Sequence, residues 1–321
     1  MPDMHYQIAV LVPCYNEEAT IGQVVADFRA ALPAAVIYVY DNNSTDRTAD
    51  VACATGAVVR HESLQGKGNV VRRMFADVEA DIYVLVDGDG TYDAASAPGL
   101  VKLLVSTGLD MVKGARCPTA REAYRPGHRL GNRLLTGVVV RTFGCVFHDL
   151  LSGYHVLSRR FVKSFPAMAH GFEIETELAV HAVEIRAAVA EVDTPYYARP
   201  EGSHSKLSTV RDGMRILKTI VYLVKEERPL LFFSTAAASV TLVSLGLGVP
   251  VILEYFRTGL VPRFPTAILA AALGVQALLF FSVGLILDSV NTARREARRF
   301  RYLAIPSPHA SFVAESKRPC A

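Results

Sequence analysis

The chain has 321 residues, of which 51% are hydrophobic and 20% are charged, and its formal net charge is +3. This length accommodates one sizeable domain or two small ones, and so small a net charge gives no reason to expect a nucleic-acid partner. The apolar content exceeds what a plain soluble enzyme needs, so membrane segments are expected.

The cysteines follow neither a metal-binding nor a disulfide pattern. They are scattered, without a Cys-x-x-Cys pair or a histidine at metal-ligand spacing: Cys14, Cys53, Cys117, Cys145 and Cys320. This distribution indicates reduced thiols in a cytosolic compartment. Residues 1–7 contain no basic segment leading into an apolar stretch, so no secretory signal is expected.

Short β-rich runs alternate with amphipathic segments up to residue 200. The predicted strands are residues 7–13, 35–41, 57–62, 81–87 and 109–116. The predicted helices begin at Glu17, Ser44, Gly68 and Ala95. Such alternation predicts an α/β fold with a mostly parallel sheet covered by helices.

Polar residues follow several predicted strands, where ligands bind in open α/β sheets. Glu17 follows the first strand, Asp41 ends the second, and Asp87 ends the fourth. We therefore expect these segments to meet in one crevice, where acidic groups can bind the ribose and base of a nucleotide. The structural alternative is that Asn16 is an N-cap and that Glu17 and Glu18 complement the helix dipole, whereas helix capping by Ser44 or Thr45 is compatible with a nucleotide site.

The run VLVDGDGTYD, residues 84–93, fits more than one chemistry. A calcium loop of the EF-hand type is excluded, because counting from Asp87 places Tyr92 and Pro98 where Gly and Glu are required. A haloacid-dehalogenase-like phosphatase would use Asp87 as nucleophile and Asp89 as acid. An Asp-x-Asp site would instead hold a divalent cation, Mg²⁺ or Mn²⁺, against a diphosphate.

The glycine-rich run SLQGKGNVVRRMF, residues 63–75, is not a known phosphate loop. It has neither the spacing of a P-loop nor that of a dinucleotide-binding fingerprint. Its glycines let the backbone approach a ligand closely, with Lys67 near a base or a phosphate.

The last third of the chain has the composition of a membrane anchor. Residues 207–227 combine apolar positions at helical spacing with basic ones, which suits a helix on a membrane surface. Residues 230–253 and 264–287 contain no charged residue, and each run is long enough to cross a bilayer. An unusually long buried hairpin is the alternative.

Basic residues around the two runs predict that both long ends are cytoplasmic. The inter-span loop carries only Arg257 and Arg263, whereas more basic residues flank the outer ends: Lys218, Lys225, Arg228, Arg294, Arg295, Arg298, Arg299 and Arg301. The predicted location is the inner (cytoplasmic) membrane, with possible self-association through the spans. The predicted regions are a catalytic domain at 1–206, an amphipathic helix at 207–228, a two-span hairpin at 229–289 and a basic tail at 290–321.

Seven motifs in order resemble the family 2 glycosyltransferases with a GT-A fold. Within that family the chain is similar to dolichol-phosphate mannose synthases and bacterial polyprenyl-phosphate glycosyltransferases. The similarity covers about residues 7 to 225, and the motifs are VPCYNEE, DNNSTDRT, GKGNVVRR, VLVDGDGTYD, LLSGYHVLSRR, FEIETEL and ARPEGSHSKL. The resemblance implies inverting transfer of a hexose, from GDP-mannose or UDP-glucose, to a polyprenyl phosphate at the cytoplasmic membrane face.

The resemblance also assigns the site residues. It implies that Asp87 and Asp89 are the metal and diphosphate ligands, within a nucleotide pocket lined by Pro13, Tyr15, Glu17, Asp41 and Lys67. Arginine suits bidentate capture of a phosphate. The expected ligands of the acceptor phosphate are Arg116, Arg129 and Arg199, with Ser205 and Lys206 beside them and Arg133 a weaker candidate.

Two positions depart from the family pattern. Thr91 replaces a glutamine that serves mannose synthases as a further metal ligand, and Asn42 replaces a frequent aspartate. Two alternatives to the transferase are the phosphatase and an inactive membrane-anchored binding protein. The phosphatase leaves the motifs upstream of Asp87 unexplained, whereas the transferase accounts for all of them.

Overall fold

The strands of the chain lie between residues 8 and 196 in the computed structural model, which describes residues 6–118, 137, 147–169, 171, 173–199, 221–222 and 224–307. They are β1 (Ile8–Cys14), β2 (Val36–Asp41), β3 (Val58–His61), β4 (Ile82–Leu85), β5 (Met111–Pro118), β6 (His155–Ser158) and β7 (Val189–Tyr196). The five predicted strands correspond to β1 to β5, and β6 and β7 were not predicted.

Helices connect most of these strands. They are α1 (Ile21–Ala31), α2 (Thr48–Ala54), α3 (Lys67–Asp77), α4 (Ala97–Thr107), α5 (Arg159–Ser164), α6 (Ile174–Glu184), α7 (Pro229–Thr258) and α8 (Phe264–Leu303). A single 3₁₀ turn, Ala94–Ser96, precedes α4. The helices after β1 and β2 begin four residues later than predicted, because polar loops follow both strands.

The strands form one sheet in the order β3-β2-β1-β4-β6-β5-β7. The pairs β1 with β2, β1 with β4, β2 with β3 and β5 with β7 are parallel, whereas β6 is antiparallel to both of its neighbours. The predicted mostly parallel α/β sheet is confirmed. Since β6 runs in the opposite direction, its first residue lies at the edge where the parallel strands end.

Helices cover the central strands, which explains why these strands are almost continuously apolar. Val10, Leu11 and Val12 of β1 are fully buried, as is every residue of β4. Helix α1 contributes an apolar stripe of four buried residues at helical spacing, namely Ile21, Val24, Val25 and Phe28. Packing on both faces makes the sheet a rigid support for the polar groups at its edge.

A buried carboxylate, Asp110, fixes the beginning of β5. Its oxygens accept hydrogen bonds from the Ser158 hydroxyl at 2.9 Å and the Tyr302 hydroxyl at 2.7 Å, and the Arg160 Nη2 donates at 2.9 Å. The Arg160 guanidinium also lies 4.6 Å from the centre of the Tyr302 ring. The chain divides into two compact units, and the end of α8 from Arg298 onward belongs to the unit that contains the sheet.

The second unit, residues 217–297, contains α7 and most of α8. Both helices are long and apolar enough to cross a membrane, and only 11% and 17% of their most apolar windows are buried. The predicted spans 230–253 and 264–287 lie within them. Within this unit the Ser244 hydroxyl donates to the Ala270 carbonyl at 2.8 Å. Of the predicted amphipathic helix, only 221–222 and 224–228 are described, and of the predicted basic tail only 290–307.

His181 of α6 is a buried histidine in the sheet-containing unit. Its Nε2 lies 3.1 Å from the Ser164 hydroxyl, and its ring packs against those of Phe161 and Phe165. Burial, together with the positive charge of Arg298, lowers the pKa of His181 to about 3. The ring is therefore neutral in the folded chain at any ordinary pH.

We predict that His181 makes the folded state sensitive to acid. Because the unfolded ring takes up a proton near pH 6.5 and the folded ring does not, its stabilising contribution is complete above about pH 6.5 and declines as the pH falls towards 3. Replacing it in His181→Gln should remove on the order of 1 kcal/mol per pH unit from the slope of unfolding free energy between pH 6 and 4.5. Denaturant unfolding of the full chain in detergent measures this slope, and equal slopes for both proteins would contradict the prediction.

Candidate active site

The polar segments after β1, β2 and β4 meet at one edge of the sheet. Cys14 pairs with Asp41 in parallel register, and Leu11 pairs with Leu85. His155, the first residue of the antiparallel β6, pairs with Leu85 and so starts at the same edge. The crevice expected from the sequence is therefore present, and it also receives residues from β5 and β6.

The loops after β1 and β2 hold each other through side chains. The backbone N–H of Asn16 donates to the Ser44 hydroxyl at 2.9 Å, and the side-chain Oδ1 of Asn16 accepts from the Thr45 backbone N–H at 2.8 Å. The Glu17 N–H donates to the Thr48 hydroxyl at 2.8 Å. The residues at the N-caps of α1 and α2 are Thr20 and Arg47, so the predicted capping by Asn16, and by Ser44 or Thr45, is wrong. These loops bring Pro13, Tyr15 and Glu17 beside the end of β2.

Asp41 presents a buried oxygen for which the described part of the chain supplies no partner. Its Oδ2 lies 3.2 Å from His61 Nδ1 and accepts from the Ser44 N–H at 3.3 Å. Its Oδ1 is buried, and no donor among the described residues reaches it. Since an unpaired buried carboxylate oxygen is costly, this atom suits an N–H or O–H group supplied by a ligand.

The contacts of Asn42 explain why an asparagine stands here in place of the aspartate that is frequent in the family. Its side-chain amide donates to the carbonyls of Glu62 and Leu64, both at 2.8 Å, and its Oδ1 accepts from the Gly66 N–H at 2.7 Å. An aspartate has no N–H group to donate. Asn42 therefore fixes the loop that leads into Lys67, the first residue of α3.

The Asp-x-Asp pair lies directly beyond β4 in a tightly packed turn. A Cβ atom on Gly88 would lie 2.5 Å from Cys14 Sγ, so only glycine fits between the two aspartates. The buried Asp89 accepts from the Thr91 hydroxyl at 2.6 Å, and its other oxygen lies 2.6 Å from the Arg199 guanidinium. Asp87 lies 2.5 Å from the Lys67 ammonium. Each carboxylate thus has a cationic partner, Lys67 for Asp87 and Arg199 for Asp89.

The electrostatics of this pair favour a divalent cation. Burial raises the pKa of Asp87 to about 6, although the positive charge of Lys67 lowers it. The negative charges of Asp89 and Glu175 raise this pKa further. A divalent cation that prefers oxygen ligands reduces the repulsion between these negative charges, so the two carboxylates suit Mg²⁺ or Mn²⁺. The described residues contain no cluster of three acidic, His or Cys side chains around a metal position. Thr91 is fully buried against Asp89, so its hydroxyl is engaged there.

Lys67 connects the aspartate pair to two buried residues that the sequence analysis did not assign. Its ammonium lies 2.6 Å from Glu175, whose other oxygen lies 2.5 Å from His155 Nε2. Burial lowers the pKa of His155. Burial favours the neutral form of Glu175, but the Lys67 charge and the hydrogen bond with His155 hold its pKa at about 2. His155 lies in the motif LLSGYHVLSRR and Glu175 in the motif FEIETEL, and this membership was the only sign in the sequence that they belong to the site.

Arg116 is held in place by a third unassigned residue. The Asp149 carboxylate accepts from the Arg116 guanidinium at 2.8 and 2.7 Å and from its backbone N–H at 3.1 Å. The guanidinium also lies 5.6 Å from the centre of the Tyr196 ring. Burial raises the pKa of Asp149, but the hydrogen bonds and charge of Arg116 outweigh this effect and keep the pKa below its usual range.

The structure thus assembles most of the predicted site. Asp41, Lys67, Asp87, Asp89 and Arg199 line or border the same sheet edge. The remaining predicted acceptor ligands lie outside the described residues: Arg129, Arg133, Ser205 and Lys206.

An acidic pair beyond β4, with a buried Asp41 oxygen two strands away that the described residues leave open to a ligand, is the arrangement expected of a glycosyltransferase of the GT-A class. Residues 9–165 match Glycosyl transferase family 2, and the chain belongs to this family. Glycosyltransferase AglJ of Haloferax volcanii is 34% identical over 90% of this chain and 95% of its own length. The phosphatase alternative is thereby overturned.

Two further similarities concern ligands and acceptors of related proteins. A dolichyl-phosphate hexose transferase of Haloferax volcanii is 28% identical over 69% of this chain and 95% of its own length. A crystal structure of glucosyl-3-phosphoglycerate synthase from Mycobacterium tuberculosis, with Mn²⁺, UDP-glucose and phosphoglyceric acid, superimposes with a TM-score of 0.56. It is 28% identical, and the match covers 68% of this chain and 79% of that one.

We predict that Asn42→Asp destabilises the chain by about 1 to 3 kcal/mol, because two carbonyl oxygens lose their donors and face a carboxylate. Asn43→Asp is the matched control, since Asn43 also donates to a carbonyl of this loop, that of Ser63, but in an exposed position. Thermal unfolding of both variants measures the difference. An equal loss of stability in the two variants would show that the buried position of Asn42 is not decisive.

Proposed function

We propose that the chain transfers a hexose from a nucleoside-diphosphate sugar, GDP-mannose or UDP-glucose, to a polyprenyl phosphate at the cytoplasmic face of the inner membrane. The observation that carries this proposal is the pair of the partly buried Asp87 and the buried Asp89, with Lys67 and Arg199 as cationic partners at the sheet edge. The dolichyl-phosphate hexose transferase among the relatives supports the class of acceptor. Two long apolar helices support access to a lipid substrate.

The donor nucleotide occupies the edge beyond β1 and β2 in this proposal. The unpartnered oxygen of Asp41 accepts a hydrogen bond from the base or the ribose, and Pro13, Tyr15 and Glu17 flank it. Asp87 and Asp89 hold a divalent cation, Mg²⁺ or Mn²⁺, beside the diphosphate. Such a cation stabilises the negative charge that develops on the departing diphosphate. The Mn²⁺ in the mycobacterial structure supports this assignment.

The acceptor phosphate needs orientation more than activation. It is already an anion near neutral pH, so a strong general base is unnecessary. In this proposal the acceptor phosphate binds Arg116, whose guanidinium Asp149 orients, and Arg199, which lies beside Asp89. Arg129, Ser205 and Lys206 complete the proposed acceptor site. A single in-line displacement at the anomeric carbon inverts its configuration.

The proposed regions follow the sequence boundaries. Residues 1–206 form the catalytic domain, 207–228 an interfacial helix, 229–289 the membrane hairpin and 290–321 the basic tail. The excess of basic residues outside the inter-span loop supports a cytoplasmic position for both long ends.

The test is transfer of radiolabelled hexose to undecaprenyl phosphate by the full chain, with a panel of nucleotide sugars and with or without Mn²⁺. We expect one donor to be used and Asp89→Asn to lose more than about 100-fold in rate, because one carboxylate charge at the diphosphate is lost. Asp93→Asn is the control, since its carboxylate accepts from Ser96 and lies outside the pair. An inactive wild-type chain that binds nucleotide would instead support the membrane-anchored binding protein.

We predict that Arg129→Ala and Arg199→Ala impair use of the lipid phosphate more than binding of the nucleotide sugar. Loss of one charge-assisted phosphate contact is worth about 1.5 to 3 kcal/mol, or roughly tenfold to a hundredfold in KM for the acceptor. Removing Arg199 from Asp89 also leaves the cation site more negative, which does not weaken its attraction for a cation.

Steady-state kinetics against polyprenyl phosphate and calorimetry with the nucleotide sugar separate the two effects. Arg73→Ala is the control, because this exposed arginine pairs with Asp77 on α3. Poor nucleotide-sugar binding with normal acceptor use in the two variants would place the acceptor site elsewhere.

A further inference from the structure

A line of four polar groups runs from the partly exposed Asp87 into the interior of the sheet-containing unit, and the other three groups are buried. Asp87 contacts Lys67 at 2.5 Å, Lys67 contacts Glu175 at 2.6 Å, and Glu175 contacts His155 at 2.5 Å. The four residues come from four different segments: the turn after β4 and the first turns or residues of α3, α6 and β6. Distant parts of the sequence therefore converge on one carboxylate of the site.

The inner members of this line are shielded from solvent. The side chains of Lys67, Glu175 and His155 are 8%, 4% and 0% exposed. No hydrogen-bonding group among the described residues reaches His155 Nδ1. A neutral ring with its proton on Nε2 satisfies the Glu175 carboxylate and leaves the bare Nδ1 lone pair in the interior. His155 therefore acts as a donor to Glu175.

The geometry confines Asp87 from two sides. Its Oδ1 contacts the Lys67 ammonium, and its Oδ2 faces Gly153, where a Cβ atom would lie only 2.5 Å away. The position of Lys67 thus determines where the Asp87 oxygens point. Lys67 in turn is shared between Asp87 and Glu175, so Glu175 limits how strongly the ammonium neutralises Asp87.

We propose that Glu175 and His155 are positioning residues, which hold Lys67 away from exclusive pairing with Asp87 and thereby set the affinity of the aspartate pair for a divalent cation and a nucleoside diphosphate. This inference rests on the proposed function, which places the cation and the diphosphate at Asp87 and Asp89. When Glu175 loses its charge, Lys67 pairs with Asp87 alone and competes with the cation. When His155 loses its donor, Glu175 no longer holds Lys67 in a fixed position.

A buried ion pair can also be merely structural, and His181 provides a matched control for that role. It is a second fully enclosed histidine of the same unit, it contacts Ser164, and the line of residues does not include it. His181→Leu and His181→Gln therefore carry the same chemical changes as His155→Leu and His155→Gln.

The experiment measures binding of UDP and of GDP to the full chain in detergent by calorimetry, over a series of Mn²⁺ concentrations. We expect Glu175→Gln and His155→Leu to require about 10- to 100-fold more Mn²⁺ for half-maximal nucleotide binding, the range for residues that orient metal ligands. His155→Gln, which retains an N–H donor, should lie closer to the wild type. Both His181 variants should leave the Mn²⁺ requirement unchanged, whatever they do to the melting temperature.

The inference is overturned if Glu175→Gln and His155→Leu keep the wild-type Mn²⁺ requirement while their melting temperatures fall as in His181→Leu. If His155→Leu does not fold, Glu175→Gln, which replaces a single oxygen by an amide group, decides alone. A wild-type chain without Mn²⁺-dependent nucleotide binding overturns the inference together with the donor site. Altered Mn²⁺ dependence in the variants, with no transfer to polyprenyl phosphate by the wild type, supports the inference and refutes only the proposed acceptor.

Discussion

The repulsion between two carboxylates separated in sequence by a single glycine, the partly buried Asp87 and the buried Asp89, is the constraint on which the site depends. Asp87 and Asp89 sit at a sheet edge where neither can be fully hydrated, so positive charge has to be brought to them. Lys67 approaches from the start of α3, and Arg199 from the segment after β7. The sheet topology makes this possible, because it brings the two cationic residues, which are far from the aspartates in sequence, to within a few ångströms of them.

The described residues neutralise this pair only in part. Lys67 divides its charge between Asp87 and Glu175, and Arg199 is partly exposed. A site fully neutralised by its own side chains would have little affinity for a cation, whereas an unneutralised one would destabilise the fold. The observed arrangement lies between these limits, which is the state expected of a site that binds a cation and a diphosphate together.

The sequence alone predicted the five strands β1 to β5 and the aspartate pair, because apolar runs and short motifs are local signals. The strand β6 was missed because its two apolar residues, Val156 and Leu157, lie between polar ones, and β7 because charged residues interrupt it. There is a different reason why the roles of Asn42, Glu175 and Asp149 could not be derived from the sequence. Each depends on partners 20 or more residues away, and spacing within one segment contains no information about such contacts.

The contact between Tyr302 and Asp110 has a consequence for the order of folding during synthesis. The two residues are 192 positions apart, and the apolar helices are translated between them. The sheet can begin to form as soon as its strands emerge, but the buried Asp110 obtains its tyrosine donor only after both apolar helices have been made. The catalytic unit therefore completes its interior late, and ribosomes that stop within α8 release a domain whose Asp110 lacks that donor.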